Sequence, residues 1–387
     1  MRLTVVGNPD NRRVALFRRA VREAGLPDPA VLPWARVLTG AAPPDADALV
    51  RVDSPGEDAE VDRLLRGAVT PARHGELIGL ADTYAGLVAG TGRVAAGGAT
   101  LLNHPDDVAA LCDKRRCHAL LSAAGVPVPA ALPPVEGYPQ LRAAMAAAGW
   151  PRMFVKPAHG SSAAGVIALA VGPRRVQAVT TIEVAPDGLF NSLRLRRYDD
   201  EATVAALVDR LAPEGLHVEQ WLPKAGLADR VVDLRVVVVA GRPSHAVVRA
   251  ARGPLTNLHL GNARGDLAAL RAAAGPAAWS AAMETCERAA ACFPRSLHVG
   301  VDLMFLVGWR RHAVAEVNAF GDLLPGVLAD GRDTYAEQVH ALTSGRWERW
   351  RATATATGDS PAAAGPGPAT GQGRPATMRQ EEVRCAP

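Results

Sequence analysis

The feature that most constrains this chain is a set of two apolar strand pairs in its second half. Residues 231–240 and 245–250 flank the segment GRP, and residues 299–307 and 312–317 flank GWRR. Runs rich in Val that are broken by Gly-bearing turns read as antiparallel hairpins. Charged residues sit inside these runs. Asp302 lies in GVDLMFL, Glu316 and Asn318 lie in AEVNAFGD, and Arg235 lies in DLRVVVV. A charge within an apolar strand is costly unless it is paired. Side chains alternate along a strand, so Glu316 and Asn318 share a face. With Asp302 beside them, three oxygen donors converge, which suits a hard cation such as Mg²⁺. A hairpin with ordinary solvent-facing polar residues is the alternative. Arg235 in turn needs an anion, either a carboxylate or a phosphate.

Composition adds a second pointer. Of 43 basic residues only three are Lys, at 114, 156 and 224. In a chain this rich in Arg, a retained Lys marks a place where a compact ammonium is required; chance survival is the alternative. Lys114 opens a helix over 113–124 with Asp113 as its N-cap. Lys156 ends a short strand and precedes HGSSAAG (159–165), a loop able to fold its backbone N–H groups over phosphates. A plain surface hairpin is the other reading of that segment. Lys224 follows Pro223 without an arguable partner and reads as a surface residue. Walker A, GxGxxG, HExxH and GxSxG signatures are absent.

Other classes are excluded on similar grounds. The net charge is +4 and aromatics make up 4% of the chain, with Arg interleaved among Asp and Glu. No stacking platform for a nucleic acid emerges. Five cysteines, odd in number and without CxxC spacing, argue against a disulfide framework and a structural zinc. No apolar run approaches the length of a membrane span, and the N-terminal apolar run is short for a signal peptide, so a cytoplasmic location is expected.

Residues 2–7 read as a strand and 12–24 as a helix closed by Gly25, the opening of a parallel α/β layer. A strand is expected within 45–52, and helices at 61–66, 77–89, 203–212, 276–292 and 333–344. Further strands are expected at 153–156, 166–171 and 217–222. Residues 172–200 read as a β-rich insertion whose Glu183, Arg194, Arg196 and Arg197 are solvated, contact with a substrate being the alternative. The segment from about 351 to 387 is low in complexity and expected to be disordered.

Taken in order, LLNHPDDVAALCDKRRCHALLSAAGVPVP (101–129), TNLHLGN (256–262) and GVDLMFL…AEVNAFG resemble the ATP-grasp superfamily. RimK-type glutamate ligases are the nearest pattern, and glutathione synthetases are more distantly similar. The resemblance spans residues 101 to 326. It implies an α/β (α+β) ATP-grasp fold: an N-terminal parallel α/β pre-ATP-grasp domain over 1–105, then two α+β subdomains clamping ATP over 106–350. The flap and lid would occupy about 126–222. Lys114 and Lys156 would contact ATP phosphates under a flap that includes Gly160, Ser161 and Ser162. Glu219, Gln220, Trp221 and Leu222 would form the hinge that receives adenine. Arg235, Arg249 and Asn257 would act at the γ-phosphate and the reacting carboxylate. Asp302, Glu316 and Asn318 would hold Mg²⁺, with Mn²⁺ as a substitute.

The implied activity is an ADP-forming carboxylate–amine or carboxylate–thiol ligase working through an acyl phosphate. Its partners would be a small carboxylate and an amine, or a peptide or carrier protein; neither nucleic acid nor membrane is expected. A non-catalytic ATP-binding regulator is the alternative. The sequence departs from the family pattern in three places, the 172–200 insertion between flap and hinge being one. AFGD follows where ASPG is common, and GPLT stands where a basic residue often precedes the NLH loop.

Overall fold

The computed structural model describes residues 1–161 and 163–356. Ser162 and most of the expected tail, 357–387, lie outside the described residues. The chain opens with β1 (Leu3–Gly7), α1 (Arg12–Glu23), β2 (Ala30–Pro33), α2 (Trp34–Leu38), β3 (Leu49–Val52), α3 (Ala59–Leu65), α4 (Leu80–Ala95) and β4 (Thr100–Leu101). The four strands form a parallel sheet in the order β2-β1-β3-β4. Asn11 caps α1 by accepting from the Arg13 N–H, and the helix buries Val14, Phe17, Ala20 and Val21. Strand β2 and helix α2 escape sequence reading because each has only four or five residues. Tertiary contact holds them instead. Trp34 is fully buried and its indole N–H donates to the Asp53 carbonyl at 2.9 Å.

Helices α5 (Pro105–Leu111), α6 (Lys114–Ala123) and α7 (Tyr138–Ala148) lead into a second sheet. Its strands are β5 (Arg152–Pro157), β6 (Ile167–Gly172), β7 (Arg175–Ala185) and β8 (Gly188–Tyr198), then β9 (Leu216–Gln220) after α8 (Glu201–Leu211). They pair antiparallel in the order β8-β7-β6-β5-β9. The expected β-rich insertion is the β7–β8 hairpin. Arg196 pairs with Glu183 and Arg197 with Asp199, all largely exposed, and Arg194 is exposed as well. Strand β9 stops two residues short of the expected end at 222.

The third sheet holds β10 (Gly226–Leu227), β11 (Arg230–Val239), β12 (Arg242–Ala251), β13 (Ala263–Arg264), β14 (His298–Phe305) and β15 (His312–Asn318). Its order is β13-β12-β11-β14-β15, with β10 pairing β11. Helix α9 (Leu267–Ala291) packs on it and starts nine residues before the expected 276. Gly275 takes φ 75° just before Pro276, which kinks the helix there. Helices α10 (Thr334–Thr343) and α11 (Arg346–Ala356) close the described chain, so the segment expected as tail begins in helix.

Two cores result. Val6, Val50 and Val52 of the first sheet pack in one cluster with Val232, Leu234, Val301 and Leu303 of the third. The second sheet has a cluster of its own, built from Met153, Val155, Ile167, Leu169, Leu207 and Val218. Each such side chain contributes roughly 1.5–3 kcal/mol on burial. The second and third sheets thus meet across a polar seam rather than a shared core.

Candidate functional site

That seam is an open cleft. One wall carries Phe154, Lys156, Glu219, Gln220 and Leu222 of the second sheet and its exit. The opposite wall carries Asp233, Arg249, Asp302, Met304 and Glu316 of the third. Gly160 and Ser161 of the expected flap line it as well, as does Asn257.

All three lysines of the chain line this cleft. Asp113 caps α6 by accepting from the Arg115 and Arg116 N–H groups, which sets Lys114 at the first helical position. The Lys114 ammonium then reaches Glu316 at 3.0 Å and donates to the Gly160 carbonyl. Lys156, at the end of β5, meets Glu219 of β9 at 2.5 Å. Burial alone would lower the Lys156 ammonium, but Glu219 and then Glu316 outweigh it and hold it above its ordinary value. Burial would raise Glu219, yet Lys156 and the His217 contact at 3.1 Å bring it down to about 2. Both partners are therefore ionised at neutral pH.

Lys224 corrects a sequence expectation. It is not a surface residue: its side chain is 12% exposed, and it donates to Asp233 at 2.7 Å and Thr256 at 2.9 Å. Asp233 also accepts from Arg249 at 2.7 Å. Register explains this junction, because Asp233 of β11 stands directly opposite Arg249 of β12. Neither Asp233 nor Thr256 was read as a site residue. The signal for Asp233 was present, since it lies two residues before Arg235 and so shares its face of an apolar strand.

The carboxylates of the hairpin face each other as expected. Asp302 of β14 is opposite Glu316 of β15, and Asn318 is opposite Gly300 on the same face. Asp302 is gripped by Arg235 at 2.5 and 3.2 Å and by Arg249 at 3.2 Å. Burial would raise its pKa, but the two guanidinium groups hold it below the usual carboxylate range. Asn318 donates to the Gly300 carbonyl at 3.2 Å. Among the described residues no group of three or more His, Cys, Asp or Glu is placed to hold a metal. Two carboxylates and an amide oxygen still fit Mg²⁺, which commonly takes one or two carboxylates and completes its shell with water and phosphate oxygens.

Three expected residues are not among those lining the cleft. Arg235 stands behind Asp302 and bonds the Gly321 carbonyl at 3.2 Å. Asn318 sits at the strand end. Trp221 packs its ring on Phe154, with centroids 5.3 Å apart, and lies under the Arg152 guanidinium. Ser162 is outside the described residues. The NLH loop is held by Asn262, which donates to the Leu255 and Asn257 carbonyls at 2.8 and 3.0 Å.

No family model matches the chain, and no curated protein matches its sequence. Solved structures do match its fold. The ATP-grasp ligase PsnB, complexed with a minimal precursor, is 19% identical with a TM-score of 0.51, covering 88% of this chain and 98% of PsnB. The chain has the ATP-grasp fold. The D-cycloserine synthetase DcsG is 17% identical with a TM-score of 0.55, covering 90% of this chain and all of DcsG (100%). The D-alanine–D-alanine ligase of Bacillus anthracis, complexed with ATP, is 12% identical with a TM-score of 0.50, covering 91% and 99%. No helix among the described residues is long and apolar enough to cross a membrane.

Proposed function

We propose that the protein is an ATP-dependent ligase that activates a carboxylate and joins it to an amine or thiol. One observation carries the reading: every lysine in the chain, each paired with a carboxylate, faces a single cleft that also holds Asp302 and Glu316. Lys114 and Lys156 would grip the phosphates, with the 159–165 loop above them and adenine against the Glu219–Leu222 hinge. Asp302, Glu316 and Asn318 would hold Mg²⁺, which supplies charge neutralisation at the phosphoryl oxygens when bound.

In this scheme a substrate carboxylate oxygen attacks the γ-phosphorus, the bond to the β-phosphate oxygen breaks, and ADP leaves. The amine or thiol then attacks the acyl carbon, loses its proton and expels phosphate. Arg249 and Asn257 would orient the carboxylate, while Arg235 steadies Asp302. Closure of the flap would exclude the water that hydrolyses an acyl phosphate.

A peptide or carrier substrate is favoured over a free amino acid by the β7–β8 hairpin. Strand β8 forms the edge of its sheet; residues 75–77 pair with it at 189–191, and beyond that stretch Leu193 and Leu195 are exposed. Leu195 lies beside Gly253, at the start of the loop that lines the cleft. The similar ligase PsnB is complexed with a minimal precursor. An exposed strand edge is a site where an extended peptide adds a strand.

The test is ADP formation by the purified protein with MgATP and pools of amino acids, small carboxylates or peptides. The reading expects ADP release that depends on one such substrate and disappears in Lys156→Ala and Glu316→Ala. Absence of ATP binding would overturn it. Dependence on a peptide, lost in Leu195→Asp, would select the peptide form.

A further inference from the structure

The AFGD segment, where the sequence departs from the pattern it resembles, ends in Asp322. This carboxylate is fully buried. It accepts from Arg51 of β3 at 2.7 Å, from Arg13 of α1 at 2.8 Å and from Gln338 of α10 at 2.9 Å. The Thr334 hydroxyl donates to its backbone carbonyl at 2.7 Å. Three separate elements, two of them in the N-terminal layer, therefore converge on the turn that follows Asn318.

That turn touches the candidate cation ligands. The Gly321 carbonyl accepts from Arg235, whose other nitrogens grip both oxygens of Asp302. Gly321 also packs directly on Gly300, the residue opposite Asn318. A Cβ built on Gly321 would lie 2.7 Å from the Gly300 Cα, 2.9 Å from Arg235 and 3.2 Å from the Asn318 Cβ. A small displacement of residues 319–322 would move Arg235 and Asn318 together.

We propose that Asp322 is a positioning residue for the cation-binding end of the cleft: locked by Arg13, Arg51 and Gln338, it fixes the turn that seats Arg235 and Asn318, and through Arg235 it orients Asp302. A turn containing proline is stiff by its own covalent geometry. Here a buried ionic anchor does that task, and it makes the N-terminal layer part of the site. The inference rests on the reading of Asp302, Glu316 and Asn318 as cation ligands.

The experiment measures Mn²⁺ binding to the full chain in the presence of ADP, by electron paramagnetic resonance of the free ion. ADP affinity in EDTA is measured alongside, and thermal unfolding reports folding. Loss of a partner that orients a metal ligand typically weakens metal binding about 10–100-fold. Asp322→Asn is expected to weaken Mn²⁺ by at least about tenfold and to leave ADP affinity in EDTA within about twofold, a split that a merely structural role would not produce. Arg13→Gln removes the partly exposed arm of the anchor and decides the matter if Asp322→Asn does not fold; it is expected to show the same split in weaker form. Mn²⁺ affinity within twofold of the parent in a folded Asp322→Asn, or in Arg13→Gln when that variant decides, overturns the proposal. Asp302→Asn and Glu316→Gln serve as controls. If they too leave Mn²⁺ binding intact, the cation reading has failed rather than the positioning role alone.

Discussion

Two charged clusters of this molecule use the same chemistry in opposite ways. Around Asp322, the side chains of Arg51, Asp53 and His298 are sealed from solvent, and only the Arg13 arm is partly exposed. In the cleft, Lys114, Lys156 and Glu316 keep 10–28% of their side-chain surface open. A sealed ion pair cannot trade its partner without leaving an uncompensated charge. A pair with one open side can accept a further anion at little cost. The first cluster thus belongs to rigidity and the second to ligand exchange, and the comparison can be broken by experiment.

The largest effect is expected from Arg51→Met. It leaves Asp322 and Asp53 buried with fewer counter-charges, and losses of about 3–5 kcal/mol are usual in such cases. Urea unfolding should show that loss. A change below about 1 kcal/mol would mean that the network is not sealed as described.

Next comes a pH effect within the same cluster. Burial, with Arg51 and Arg13 adding and Asp322 opposing, pushes His298 down to about 4. Its folded value lies below its unfolded one. The stability due to the neutral ring is therefore complete above about 6.5 and is lost as pH falls towards 4, up to about 3 kcal/mol. Asp107 works in the opposite sense. Burial pushes it up to about 6, so it lowers stability as pH rises towards that value. His298→Gln should flatten the acid slope of urea stability between pH 6.5 and 4. An unchanged slope would assign it to other groups.

In the cleft the balance reverses. Lys156→Met should weaken ATP binding by about 1.5–3 kcal/mol, the worth of a hydrogen bond to a charged group. Its stability loss should be smaller than that of Arg51→Met. Titration calorimetry and unfolding of the two variants give the crossed pair of results. The smallest effect belongs to the exposed Arg196–Glu183 pair of the β7–β8 hairpin. Arg196→Ala should cost less than about 1 kcal/mol, and a larger loss would show that this pair is more than an exposed surface contact.

Local patterns made the third sheet legible. Alternating apolar runs and Gly-bearing turns marked β11, β12, β14 and β15, and carboxylates inside them marked Asp302 and Glu316. The capping Asp113 and the loop after β5 placed Lys114 and Lys156. Partners supplied by distant chain segments stayed hidden. Lys224 reads as a surface residue because Asp233 comes to it only through the β10–β11 hairpin and Thr256 only when β11 and β12 pair. Arg51 lies 271 residues from Asp322 in sequence, and no spacing rule connects them. Strand β2 was too short to show a period.

The scarcity of lysine makes the central claim directly testable. With nitrogen-labelled lysine, the chain gives three side-chain ammonium resonances, assignable by one Lys→Arg variant each. Adding the magnesium complex of a non-hydrolysable ATP analogue should move the Lys114 and Lys156 resonances together, in step with saturation. If neither resonance moves at saturating analogue, the cleft is not the nucleotide site.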